Sequence, residues 1–344
     1  MERKRFNFAD GAKIYLFAVA CILGVQLVLS FILALFNAEW ILKIDWVSIL
    51  LSLLIQIVLV SVTVVYCKKM NTRFEYGTSA TKPLGYVIPV AAAAVCFVCF
   101  ILSSVAFDLL LGIFNYESGG GIEMESLPAK ILGVIVTVIC APIGEELVFR
   151  GALLSGLKQR YKAPAAIVLS GLAFSLMHMN PEQTVYQFIL GCVCAYFTLQ
   201  SGSLLPAIIT HGVSNLIACL TEIIVPLGEA VDKVIYALID IPWLFAVLTV
   251  VLLAVGLVAL FFLGKLLAKQ KNESAEKQKD FAAVPPRVSF DGEVPSSSAV
   301  ALHEAESNKK MGRVMYVLAI SVTAVVWLAT FAIAVLTGNG LIRL

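Results

Sequence analysis

Charged residues are scarce in this sequence. Asp, Glu, Lys and Arg make up 14% of its 344 residues and hydrophobic residues 60%, whereas a soluble domain carries about 25% charged residues. A mean hydropathy of +0.93 excludes an ordinary soluble globule. The apolar residues come in long unbroken runs, so the chain reads as an all-α polytopic membrane protein whose first partner is the lipid bilayer. A basic face is also missing. The formal net charge is +2 and the lysines and arginines fall in short clusters between apolar runs, which excludes a nucleic-acid partner. Nor is there a disulfide framework: Cys21, Cys67, Cys96, Cys99, Cys140, Cys192, Cys194 and Cys219 lie in or at the ends of apolar runs and read as small hydrophobes. The C-x-x-C pair Cys96 and Cys99 lacks the further ligands and water access of a zinc or redox site.

About 20 apolar residues cross a hydrocarbon core of about 30 Å. On that scale about nine spans are expected: Ile14 to Phe36, Trp46 to Tyr66, Tyr86 to Ile113, Ile131 to Leu154, Pro164 to His178, Val185 to Gln200, Leu204 to Leu227, Pro242 to Leu267 and Val314 to Leu336. The first run is longer than a signal-peptide core and no small-residue cleavage site follows it, so it reads as an uncleaved span. With Arg3, Lys4 and Arg5 in the cytoplasm, the clusters Lys68, Lys69, Arg73 and Lys158, Arg160, Lys162 fall in cytoplasmic loops, as the positive-inside rule requires. The C-terminus then lies outside. Residues Lys269 to Lys310 are polar and rich in Pro and Ser, and read as a disordered linker before the last span.

Against this background the run Ala141 to Leu154, "APIGEELVFRGALL", places Glu145, Glu146 and Arg150 within a membrane segment. Each charge there costs about 2.5 to 3.5 kcal/mol even on the lenient insertion scale, so each must pair or face a cavity. Residues four apart share a helix face, which makes Glu146 and Arg150 an ion pair bracing the pocket wall. Glu145 lies about 100° further round, without a local cation, and is the carboxylate left for chemistry. The chain has only three histidines; His303 is in the linker, whereas His178 and His211 sit in or beside apolar spans, with Asn215 one turn beyond His211. If the three helices meet, one carboxylate, two imidazoles and a carboxamide converge, at a depth that leaves them open to the cytoplasmic face. Asp108 reads as a helix-end carboxylate, and Phe174 and Tyr186 as packing residues.

This set suits peptide-bond hydrolysis. A carboxylate held away from water can act as general base, with a histidine orienting the water, while a second histidine and an amide stabilise the oxyanion. Two histidines and a glutamate (Glu145, His178, His211) are equally a catalytic zinc ligand set. The residues alone leave both chemistries open, together with a non-catalytic membrane scaffold that binds sensor or immunity partners and a proton-coupled transporter.

The segments "EELVFR" (Glu145 to Arg150), "FSLMH" (Phe174 to His178) and "HGVSN" (His211 to Asn215) resemble the EExxxR, FxxxH and HxxxN motifs of the CPBP intramembrane protease family. That family includes type II CAAX prenyl endopeptidases, Abi bacteriocin-immunity proteins and lysostaphin-resistance-like proteins. The resemblance spans about Ile131 to Leu220. It implies a catalytic core of about four helices, Glu145 as catalytic base, His178 assisting water activation, His211 and Asn215 as the oxyanion site, and Glu146 with Arg150 as pocket support. It also implies a metal-free mechanism with no cofactor, zinc being the alternative. The expected organisation is N-terminal helices over residues 1–130, a protease core over 131–227, a further transmembrane helix over 228–268, the linker over 269–311 and a C-terminal helix over 312–344. The expected activity is that of a peptide hydrolase in a bacterial plasma membrane, cleaving a hydrophobic peptide or membrane-anchored protein.

Overall fold

A backbone in lipid has to satisfy its polar groups within its own segment, so long apolar runs fold as helices. The computed structural model describes residues 4–38, 40–41, 44–77, 84–116, 126–281 and 298–341. It contains α1 (Phe8–Leu35), α2 (Asp45–Met70) and α3 (Leu84–Gly112). There follow a long α4 (Leu127–Lys158), α5 (Ala163–Met177), α6 (Thr184–Ser201) and α7 (Leu205–Ile223). The last three are α8 (Val225–Ile239), α9 (Pro242–Phe281) and α10 (Ser298–Gly338). The described residues are thus all-α apart from a two-residue parallel pair, Lys4–Arg5 against Thr72–Arg73, which ties the start of α1 to the end of α2, and an isolated bridge between Gly77 and Ser203.

Among the described residues six helices, α1 to α4, α9 and α10, are long and apolar enough to cross a membrane, and α7 with α8 makes a seventh if the pair is counted as one span. The expected count of nine is therefore not met. The difference lies in α5, whose 15 residues reach only about 22 Å at 1.5 Å per residue, short of a core of about 30 Å, and in α6, whose 18 residues are long enough but, with Gln187, Thr198 and Gln200 among them, not apolar enough. They form a hairpin whose turn, residues 178–183, ends within the bundle. Loss of two antiparallel segments leaves the alternation of the remaining spans unchanged. A second difference is α8: the chain bends 96° after α7, and residues expected as a loop form a short amphipathic helix instead.

The expected linker also differs. Residues 269–281 continue α9 and residues 298–310 begin α10, while 282–297 lie outside the described residues. Lys, Glu, Gln and Ala favour helix, and extending an existing helix adds one hydrogen bond for each residue fixed. A solvated helix needs no apolar periodicity.

The bundle closes on a polar centre. Arg150, on α4, is fully buried and is the largest side chain in that class. Its Nη1 donates to Glu146 Oε1 at 2.9 Å and its Nη2 to the Gly191 carbonyl of α6 at 2.9 Å. The guanidinium also lies over the Phe174 ring, 4.6 Å from its centroid. Helix α6 can come this near because it crosses α5 glycine to glycine: a Cβ on Gly191 would stand 2.8 Å from Gly171 Cα.

Removing one partner of such a buried pair strands a charge, at a cost of about 3–5 kcal/mol. Arg150→Leu is accordingly expected to lower stability by about that amount in detergent unfolding. Adding Glu146→Gln to it should recover part of the loss, and a double variant less stable than Arg150→Leu would contradict the pairing.

Candidate active site

Helix α4 owes its shape to Pro142. Proline has no N–H to donate and its ring crowds the preceding turn, and the helix widens just before it into a π-helical turn, Val136–Cys140. In that turn the Ala141 N–H reaches back to Val136 O. Thr137 O then finds no donor on its own helix, since the next candidate is Pro142. Asn215 of α7 supplies one: its Nδ2 donates to Thr137 O at 2.8 Å. A regular α-helical stretch, Ala141–Glu146, carries the two glutamates, and a second π-helical segment, Leu147–Leu154, carries Arg150. Wide turns of this kind recur at functional sites because they re-aim side chains.

The adjacent glutamates point to different places. Glu146 is fully buried and receives Arg150 as well as His211, whose Nδ1 lies 3.0 Å from Glu146 Oε1. Glu145 faces a cavity of about 720 Å³ that is also lined by His178, His211 and Asn215. Its Oε1 accepts from Gln56 Nε2 of α2 at 3.3 Å. Its Oε2 is buried, has no hydrogen-bond partner among the described residues and stands 3.8 Å from His211 Nε2.

The imidazole partners fix the tautomers. Glu146 is held as a carboxylate by Arg150 and can only accept, so His211 Nδ1 carries the proton. His178 Nδ1 lies 2.9 Å from the Phe174 carbonyl, which is likewise an acceptor. Both rings in their neutral form therefore leave Nε2 as a free lone pair. Phe174 locks them edge-on, with centroid distances of 5.0 Å to His178 and 5.5 Å to His211. Its expected packing role thus includes orienting both histidines.

All six polar positions expected from the sequence meet here: Glu145, His178, His211 and Asn215 on the cavity, with Glu146 and Arg150 behind it. Asn215 has one N–H already committed to Thr137 O, which leaves its second. Gln56 was not expected. Its signal is a lone amide in the middle of an apolar run, costly at that depth. It approaches α4 at Gly144, where a Cβ would stand 2.7 Å from Gln56 Oε1.

From Glu145 the cavity runs past Ser104 and Val105 of α3, Glu222 of α7 and Asp232 of α8. These residues lie toward the helix ends opposite Lys68, Lys69, Lys158 and Arg160. Among the described residues no three His, Cys, Asp or Glu side chains group so as to hold a metal ion.

Comparison with known proteins gives the segment a context. Residues 127–217, about a quarter of the chain, match the family model described as type II CAAX prenyl endopeptidase Rce1-like. An uncharacterized protein of Mycoplasma capricolum subsp. capricolum is 26% identical over 148 residues, covering 38% of this chain and 43% of that relative. The chain therefore spans less than half the length of the curated relative it matches. No solved structure matches it. The matched segment runs from the start of α4 into α7 and carries all three polar motifs, and over that segment the chain is similar to the type II CAAX prenyl endopeptidase Rce1-like family.

Proposed function

We propose that this multi-pass membrane protein is an intramembrane endopeptidase that hydrolyses a peptide bond with a water activated by Glu145. The observation that carries the reading is the free Oε2 of Glu145, buried on a cavity shared with two imidazole lone pairs and the Asn215 amide. Glu145 takes a proton from the water while His178 Nε2 accepts the other hydrogen and fixes the water's direction. The hydroxide adds to the substrate carbonyl carbon. The proton taken up by Glu145 can be shared with His211 Nε2, 3.8 Å away, which turns that nitrogen into a donor as the oxyanion forms. The free N–H of Asn215 is a second donor. Collapse of the tetrahedral intermediate breaks the C–N bond and passes the proton to the leaving amine. Gln56 holds Glu145 by its other oxygen. No metal enters the scheme.

The positive-inside pattern favours a cytoplasmic N-terminus, and it fits a bacterial plasma membrane. The cavity then opens toward the outer leaflet, where it would receive a membrane-anchored protein or a hydrophobic peptide. Nothing in the motif residues calls for a prenyl group on that substrate.

Cells expressing wild type and Glu145→Gln at equal membrane abundance are to be compared by mapping peptide termini in membranes and medium. Termini formed only by the wild type are expected, with cleavage reduced about 10²- to 10⁴-fold in the variant. Identical maps, with the variant rescuing the gene's phenotype, would replace the enzyme by a scaffold that binds other membrane proteins. With the purified protein, prolonged incubation with a strong chelator is expected to leave cleavage unchanged. A loss restored by zinc would overturn the metal-free scheme. Gln56→Leu, which lets the Glu145 carboxylate turn, is expected to reduce kcat by up to about 100-fold with little change in KM.

A further inference from the structure

We propose that the outer part of the cavity is a recognition groove for a cationic stretch of the substrate, a lysine or arginine lying about three to five residues from the scissile bond. The proposal rests on the protease reading for what the groove serves, but it concerns binding and can be tested without catalysis.

The groove carries anionic side chains and, among the described residues, no cationic one in its lining. Beyond the catalytic set its carboxylates are Glu222 and Asp232, both exposed at its mouth, and among the described residues its lining includes no lysine or arginine. Tyr186, on the same wall, stands within electrostatic reach of Glu182, Glu222 and Asp108, of which Glu222 belongs to the lining. Lys233 follows Asp232 on α8 and is not part of the lining.

A second observation, independent of the carboxylates, points the same way. Gln187 is 8% exposed and lines the groove, yet its Oε1 has no hydrogen-bond partner among the described residues. Gln56, 9% exposed and on the opposite side, also keeps Oε1 unpartnered. Buried carbonyl oxygens of this kind are costly unless a donor meets them. Backbone N–H groups of an extended polypeptide would meet the two amide oxygens, and an ammonium or guanidinium would meet Glu222 and Asp232. Phe97, Ile101 and Val105 give the groove an apolar side for the stem of a long basic side chain.

The spacing follows from the helix. Glu222 is eleven residues beyond His211 on α7, or about 16 Å at 1.5 Å per residue. An extended chain covers that distance in about five residues at 3.3 Å each, fewer when the basic side chain provides part of the reach.

The test uses the full chain carrying Glu145→Gln, in nanodiscs of phosphatidylcholine so that the bilayer itself does not attract cations. The probe is a fluorescent peptide of about a dozen Ala, Leu and Gln residues bearing two lysines, compared with the same peptide bearing two glutamates. The lysine peptide is expected to bind about tenfold more tightly. Glu222→Gln with Asp232→Asn should remove the difference. Glu222→Lys with Asp232→Lys should reverse it, a gain that a misfolded protein could not show. Equal binding of the two peptides, or a lysine preference untouched by these substitutions, overturns the groove. Cleavage of the probes by wild type is read separately. Charge-selective binding without Glu145-dependent cleavage keeps the groove and removes the protease, whereas cleavage indifferent to charge overturns the groove and keeps the protease.

Discussion

Everything at the centre of this bundle depends on the burial of Arg150 against Glu146. A guanidinium fully out of water has to be met on several sides, and the structure meets it with a carboxylate one turn away, the Gly191 carbonyl of α6 and the face of Phe174. Each contact comes from a different helix or turn. The charge therefore works as a position marker: α4, α5 and α6 satisfy it only in one arrangement, and in that arrangement Glu146 is free to orient His211. The pair neutralises itself and leaves the neighbouring Glu145 to carry the site's uncompensated carboxylate.

Pro142 sets a second constraint of the same kind. It costs α4 a backbone donor, the helix widens to a π-turn, and the orphaned carbonyl of Thr137 is capped by Asn215 from α7. The irregular stretch of α4 is thereby bonded to the helix that carries His211. The site is built on helices and on the turn that begins at His178, and its histidines are fixed at Nδ1 by Glu146 and the Phe174 carbonyl, which leaves Nε2 on both rings for substrate chemistry. A groove whose lining carries anionic side chains beyond this set is consistent in sign with a cation-bearing polypeptide as its occupant.

The polar centre was legible in the sequence because the membrane makes it conspicuous. Glu145, Glu146, Arg150, His178, His211 and Asn215 stand out against apolar runs, and the pairing of Glu146 with Arg150 follows from helical spacing alone. Gln56 carries the same signal but belongs to no motif, and nothing local says that α2 lies beside Gly144. The span count departs from nine for separate reasons: the run of α5 is apolar but too short, α6 is long enough but carries too many polar residues, and the bend after Ile223 carries the chain off its axis. The charged ends of α9 and α10 looked like linker because a helix extending into water shows no apolar stripe.

The central claim is that a water molecule activated at Glu145 is what divides the peptide bond. It is tested most directly by incubating the purified, reconstituted protein with a cleaved substrate in water enriched in oxygen-18 and weighing the products. The account predicts one labelled oxygen in the new C-terminal carboxylate, formed by wild type and absent with Glu145→Gln. Unlabelled product, or labelled product formed equally well without the Glu145 carboxylate, would contradict it.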